Sequence, residues 1–257
     1  MIKYCSKATR DDDKQKISVP TDFQMENKSM IKTLFLDLDD TLLDFHAAER
    51  TALSATLRDM GVVPTDKLLS RYKEINRSCW ERLERGELTR DEVLTLRFEL
   101  LFEEFLYEKD AAKTQSIYEY RLSLEHPFME GAQELLDALF GRYSLYIASN
   151  GTASVQDRRI ADTGIAKYFE GVFISQRIGA NKPEREFFDR CFREIENFDK
   201  STSMIVGDSL TSDILGGKNA GILTCYFNPR GHKNSTDIIP DFEIRSLDEL
   251  IPLLERL

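Results

Sequence analysis

The sequence predicts an α/β fold, a parallel sheet flanked by helices, with an all-helical segment inserted after the first strand. Three observations lead there. Apolar runs at 31–36, 143–148 and 203–206 each empty into polar residues, as strands do where an open sheet meets its ligand crevice. From Pro127 onward, strand-length runs alternate with helix-spaced segments, the pattern of a parallel sheet with right-handed crossovers. Between the first two strands, residues 46–125 carry their apolar side chains almost wholly at helical spacing.

Taken in order, residues 1–29 are polar, charged and without sustained periodicity, and read as a flexible N-terminal extension. The first strand follows Met30. Within the helical insertion, Pro64-Thr65-Asp66 opens a helix that runs through Trp80 and is closed by Gly86. Thr89-Arg90-Asp91-Glu92 is a capping box for the next helix, which carries Val93, Leu94, Leu96, Leu100, Leu101 and Phe105. Another helix covers Ala111 to Leu124. Helices are then expected at 131–140, 152–163, 183–195 and 212–219, with strands at 143–148, 172–175, 203–206 and 222–227. Asp241 to Ile244 reads as an edge strand, and Ser246-Leu247-Asp248-Glu249 as a capping box opening the C-terminal helix.

Composition narrows the function classes. With 35 basic and 45 acidic residues the net charge is −10, which argues against a nucleic-acid polymer as partner. Cys5, Cys79, Cys191 and Cys225 lie far apart, with no C-x-x-C pair, and read as thiols in a reducing cytoplasm. No apolar run reaches the ~20 residues that span a bilayer, so no membrane partner is expected.

The first strand ends in Asp37-Leu38-Asp39-Asp40-Thr41. Alternation on an extended backbone turns Asp37 and Asp39 to the same side and Leu38 to the other. Two carboxylates at ~4 Å repel by about 4 kcal/mol at an effective dielectric near 20, so a compensating charge is required, and Mg²⁺ suits an all-oxygen donor set. The second strand ends in Ser149-Asn150-Gly151, a turn into a helix N-terminus where a hydroxyl and backbone N–H groups can receive an anion. Lys182-Pro183 supplies a cation. Gly207-Asp208-Ser209, with Asp213 five residues after Asp208, supplies further carboxylates.

These four elements, in this order, resemble the haloacid dehalogenase (HAD) superfamily of phosphatases. The resemblance implies a Rossmann-like core over 30–45 and 126–257, with 46–125 as a helical cap that selects the leaving group. It implies catalytic roles for Asp37, the nucleophile forming an aspartyl phosphate, and Asp39, the acid and base. Ser149, Asn150 and Lys182 would bind phosphate. Mg²⁺ would be held by Asp37, Asp208 and the backbone carbonyl of Asp39, with Asp213 orienting its shell. Dehalogenases of the superfamily lack the second aspartate, and its sugar-phosphate mutases usually carry glycine where Asp40 stands. Both departures favour a phosphatase.

More closely, Leu43-Asp44-Phe45, Asn76 with Trp80 and Gly86, Ser175 before Lys182-Pro183, and Asp213 through Gly221 with Thr224-Cys225 resemble the YjjG/YfnB-type branch. That branch acts on pyrimidine nucleoside monophosphates as 5′-nucleotidases. The resemblance implies a small phosphorylated metabolite as partner, a monomer or homodimer, and Phe45 and Trp80 as the aromatic groups for a base. Two other readings stand beside it: a sugar-phosphate or N-acylneuraminate-9-phosphate phosphatase sharing the cap, and a catalytically idle binding protein of the same fold.

Overall fold

The computed structural model of the chain describes residues 31–257; the extension expected over 1–29 and Cys5 lie outside them. Six strands form one parallel sheet: β1 (Thr33–Leu36), β2 (Ser144–Ser149), β3 (Gly171–Ile174), β4 (Ser203–Gly207), β5 (Leu223–Phe227) and β6 (Phe242–Ile244), in the order β3-β2-β1-β4-β5-β6. Leu36 lies beside Ile147 on one neighbour and Val206 on the other, so three strands end in register. The chain leaves β1 toward β2 and β3, then returns to lay β4 on its opposite side. That reversal opens a crevice beyond the carboxyl ends of β1, β2 and β4.

Alternation along the strands supplies two cores. Leu34, Leu36, Leu145, Ile147, Met204 and Val206 face one side, against Leu135, Leu136 and Leu139 of a helix after the insertion and Leu250 and Leu254 near the C-terminus. Phe35, Tyr146, Ala148, Phe173 and Ile205 face the other, against Phe187, Phe188 and Phe192. Phe35 lies at the centre of that side, its ring centroid 5.6–6.5 Å from those of Tyr146, Phe173, Phe188, Phe192 and Phe198.

Between β1 and β2 come α1 (Phe45–Asp59), α2 (Asp66–Glu84), α3 (Arg90–Glu104) and α4 (Ala111–Leu122). α2 packs on α3 and α1 on α4, around a third core that includes Leu53, Tyr72, Phe98, Leu101 and Tyr118. The expected signals operate here. Thr65 caps α2, which runs four residues past Trp80 to Glu84, and Gly86 follows at φ +72°. Thr89 and Glu92 form both halves of the capping box. The chain enters and leaves these helices side by side, with Leu43 bridged to Phe128 and the Asp44 N–H donating to the Pro127 carbonyl at 2.8 Å.

The remaining helices are α5 (Ala132–Leu139), α6 (Ala153–Thr163), α7 (Ser175–Ile178), α8 (Arg185–Arg193), α9 (Leu215–Ala220) and α10 (Leu250–Leu254). Two local readings are corrected. The helix expected from Ser212 is preceded by a π-type turn, Leu210–Ile214, because the Ser209 hydroxyl caps that turn by accepting from the Ser212 N–H. Ser246 does not cap α10; its hydroxyl donates to the Glu249 carboxylate, and a 3₁₀ turn at Leu247–Glu249 precedes the helix. Among the described residues no helix is long and apolar enough to cross a membrane.

Removing the central ring of the aromatic face should leave a cavity that its rigid neighbours cannot fill. Phe35→Ala is expected to lower unfolding stability by about 3–5 kcal/mol. In urea denaturation this appears as a lower midpoint with an unchanged slope; a loss below ~1 kcal/mol would mean that the face repacks.

Candidate active site

The ends of three strands and one loop bring the polar clusters together. Asp37 follows β1 directly, its N–H donating to the Val206 carbonyl at 3.0 Å, so β4 fixes where its side chain begins. Ser149 closes β2, and Asp208 follows β4. Lys182 arrives from the loop before α8 and is 1% exposed. Its ammonium has three donors, and all are used: Asp37 at 2.7 Å, Asp213 at 2.6 Å and the Ala148 carbonyl at 2.6 Å. The lysine expected to bind phosphate thus clamps the aspartates in this state.

Gly207 makes the clamp possible, since a Cβ there would collide with the Asp213 carboxylate. Asp213 also accepts from the Ser209 N–H at 3.1 Å. The Asn150 amide is likewise committed. Its Nδ2 donates to the Lys182 carbonyl at 2.9 Å and to Ser212 Oγ at 3.2 Å, and its Oδ1 accepts from the Lys182 N–H at 2.9 Å. What the turn leaves for an anion is Ser149. Its Oγ accepts from the Gly151 N–H and from Gln156 Nε2, both at 3.0 Å, so its own O–H remains to donate.

The electrostatics favour a hard cation. Carboxylate oxygens of Asp37, Asp208 and Asp213 lie within 4.8 Å of one another. Burial pushes the Asp37 carboxyl far above the usual range, with Asp213 and Asp39 adding and Lys182 opposing. Burial raises Asp208 too, with Asp37 and Asp213 adding. Lys182 stays protonated although burial disfavours its charge, because Asp213 and Asp37 face it. Ionised together, three carboxylates against one ammonium leave an excess of negative charge, which is why burial opposes their ionisation, and a divalent cation with oxygen ligands relieves it. The donor set fits Mg²⁺.

Asp39 stands apart from that cluster. Its carboxylate accepts from Arg159 Nη1 on one oxygen and from Gln156 Nε2 at 2.6 Å on the other. Arg159 is fully buried, also donating to the Glu125 carbonyl at 3.0 Å, while its Nη2 has no partner among the described residues. The motifs mark neither residue; the available signal is a Gln and an Arg one turn apart on the helix following the Ser-Asn-Gly turn. Arg90, at the first position of α3, is another functional residue that the motifs do not mark. It donates to the Asn150 carbonyl at 2.8 Å, Asn181 Oδ1 at 2.9 Å, the Gly151 carbonyl at 3.3 Å and Ser175 Oγ, tying the helical insertion to the turn after β2.

A cavity of about 690 Å³ lies over these groups and extends between α1–α4 and the sheet. Phe45 and Trp80 both line it, with one face of Trp80 covered by the Arg90 guanidinium, 5.5 Å from the ring centroid. Its far wall is a buried polar network. Asn76 Nδ2 donates to Glu49 Oε1 at 2.7 Å, and Arg97 donates to Asn76 Oδ1 at 2.8 Å and Gln115 Oε1 at 2.7 Å. Burial raises the Glu49 carboxyl to about 7 against the opposing pull of Arg97 and Asn76.

Residues 31–221 match the haloacid dehalogenase-like hydrolase family. The chain is 40% identical over 223 residues to the HAD-hydrolase YfnB of Bacillus subtilis, covering 87% of this chain and 95% of that protein. The magnesium-bound crystal structure of YfnB superposes with a TM-score of 0.84, over 88% of this chain and 99% of that one. Pyrimidine 5′-nucleotidase PynA of Streptococcus pneumoniae is 38% identical, covering 88% of this chain and 95% of its own length. Pyrimidine 5′-nucleotidase YjjG of Escherichia coli is 32% identical, over 86% and 96%. With its strand-end carboxylates, its buried lysine and these relatives, the chain is an enzyme that belongs to the haloacid dehalogenase-like hydrolase family.

Proposed function

We propose that the enzyme is a Mg²⁺-dependent phosphomonoesterase, a 5′-nucleotidase acting on pyrimidine nucleoside monophosphates. Two relatives at 38% and 32% identity are pyrimidine 5′-nucleotidases. The observation that carries the chemistry is Lys182, buried and bonded to both Asp37 and Asp213 beneath the cavity. It holds the nucleophile at a fixed point, where a phosphoryl group can be met in line.

In the first step an Asp37 carboxylate oxygen attacks phosphorus, the ester P–O bond breaks, and Asp39 gives its proton to the leaving 5′-oxygen. In the second, Asp39 takes a proton from water, the hydroxyl oxygen attacks phosphorus, and inorganic phosphate leaves with Asp37 restored. Ser149 donates its O–H to a phosphoryl oxygen, while Asn150 holds the two loops in register. Asp39 must leave Arg159 and Gln156 to act as the acid, so the pose seen here is a resting one. When bound, Mg²⁺ supplies positive charge against the phosphoryl oxygens; Asp37, Asp208 and the Asp39 carbonyl would hold it, with Asp213 orienting its shell. In this reading residues 30–45 and 126–257 perform the chemistry, and the cap, 46–125, excludes water and recognises the nucleoside.

Adding Mg²⁺ to metal-free protein is expected to raise its melting temperature, and Asp208→Asn should remove most of that rise, because ligand binding stabilises only the state that binds. An equal rise in the variant would remove Asp208 from the metal site. Phosphate release from UMP, dTMP, AMP, ribose 5-phosphate and N-acetylneuraminate 9-phosphate tests the substrate. Pyrimidine monophosphates should lead in kcat/KM, and chelator should abolish turnover. A sugar phosphate in first place would overturn the nucleotidase reading and keep the mechanism. Asp37→Asn should lose roughly a thousandfold or more in kcat while remaining folded.

A further inference from the structure

Glu49 is 5% exposed, an unusual place for a carboxylate. One of its oxygens is accounted for, since Oε1 accepts from Asn76. Oε2 has no hydrogen-bond partner among the described residues and is not sealed off, so it opens onto the cavity that Glu49 lines. A network serving only to hold the helices together would turn both oxygens inward. Here Asn76, itself held by Arg97, anchors one oxygen and leaves the other to the cavity. That arrangement is unfavourable to the fold, because burying an incompletely paired carboxylate is destabilising. A carboxylate kept in that condition at a cavity wall is a mark of recognition.

The chemistry of the free oxygen defines what it can recognise. In its ionised form, which the charges of Arg97 and Lys73 favour against burial, the carboxylate only accepts, so its partner must present an N–H or O–H. Lys73, one turn before Arg77 on α2, lines the same cavity, and its charge acts on Glu49. It offers a donor in the same cavity as the acceptor. An acceptor and a donor in one cavity suit an N–H flanked by a carbonyl, which is the imide edge of uracil or thymine. Hydrogen bonding of this kind is directional, and Asn76, braced by Arg97, holds the acceptor before the substrate arrives. Phe45 and Trp80, on α1 and α2, offer ring faces along the same cavity.

We infer that Glu49, braced by Asn76 and Arg97, reads the imide N3–H of a uracil or thymine nucleotide. This rests on the nucleotidase reading and narrows it: the specificity determinant is an acceptor in the helical layer, separate from the groups around phosphorus. A base without that N–H would leave Glu49 facing a lone pair or a methyl group, with no water able to restore the bond once the cavity is filled.

The test compares UMP, N3-methyluridine 5′-monophosphate and ribose 5-phosphate on the wild-type enzyme and on Glu49→Gln, with Mg²⁺ present. In the wild type, N3-methylation should lower kcat/KM by about tenfold to a hundredfold, the range for losing a hydrogen bond to a charged group. In Glu49→Gln, the ratio of kcat/KM for UMP to that for ribose 5-phosphate should fall by a similar factor, and the penalty for methylation should shrink to within about twofold. Gln keeps an oxygen for Asn76, and if the variant nonetheless fails to fold, the methylation comparison decides alone. Equal rates on UMP and its methylated form overturn the inference and leave the nucleotidase reading standing. So does a Glu49→Gln variant that loses both substrates by one factor with the methylation penalty intact. A wild-type enzyme with no preference for UMP over ribose 5-phosphate overturns both.

Discussion

One buried ammonium organises the carboxyl edge of the sheet. Lys182 reaches Asp37 after β1, Asp213 after β4 and the end of β2 through the Ala148 carbonyl. Three strand ends are thereby tied at a single atom. Without it, Asp37, Asp208 and Asp213 would crowd together in a site of low dielectric, where repulsion is several times that in water. The clamp does not neutralise the cluster, and the remainder of the charge is what makes an oxygen-ligated divalent cation fit. Stability and function meet here, since the same excess charge that burdens the fold without a cation creates the affinity for one.

The clamp works only because the backbone around it is constrained. Gly207 clears the space that the Asp213 carboxylate occupies, and Gly151 lets the Gln156 side chain pass close to the turn after β2. Asn150 locks that turn to the Lys182 backbone through both ends of its amide. Arg90 then fastens the helical insertion to the carbonyls of the same turn. A movement of α3 relative to the sheet must break or carry those bonds, so the placement of the helical insertion and the shape of the turn after β2 are one mechanical problem.

Much of this arrangement is legible in the amino-acid sequence alone. Alternation places Asp37 and Asp39 at the cavity and buries Leu38, and the capping signals at Thr65 and Thr89 mark real helix starts. These are local properties, set by backbone geometry and by the needs of orphan N–H groups. The partners of Asp39 are not legible. Gln156 and Arg159 lie 117 and 120 residues away, and nothing in an i, i+3 polar pair says that it faces inward. Arg90 is hidden for the opposite reason. It sits inside a capping box that fully explains its neighbours, while its own side chain acts across 60 residues or more. At Ser246 the same sequence signal yields only half a box: the hydroxyl donates to the Glu249 carboxylate but accepts no backbone N–H, and a 3₁₀ turn stands where the helix is expected to open.

The division of polar groups within the cavity carries a last consequence. Around phosphorus the charges are many, mutually bonded and close to the sheet, which suits a reaction common to every phosphomonoester. Toward α1–α4 the charged lining includes Glu49, Lys73, Arg77, Glu84, Arg97 and Glu119, among which Glu49 and Arg97 are joined through Asn76 by hydrogen bonds. Arg97 lies over Tyr72, Phe98 and Tyr118 at 5.0–6.0 Å, so its charge is held by ring faces as well as by hydrogen bonds. A cation immobilised in that way cannot follow a ligand, and it keeps Asn76 and Glu49 at one orientation. In the reaction proposed above, rigidity at the leaving-group end selects among substrates, while the exchangeable bonds of Asp39 permit the proton to move.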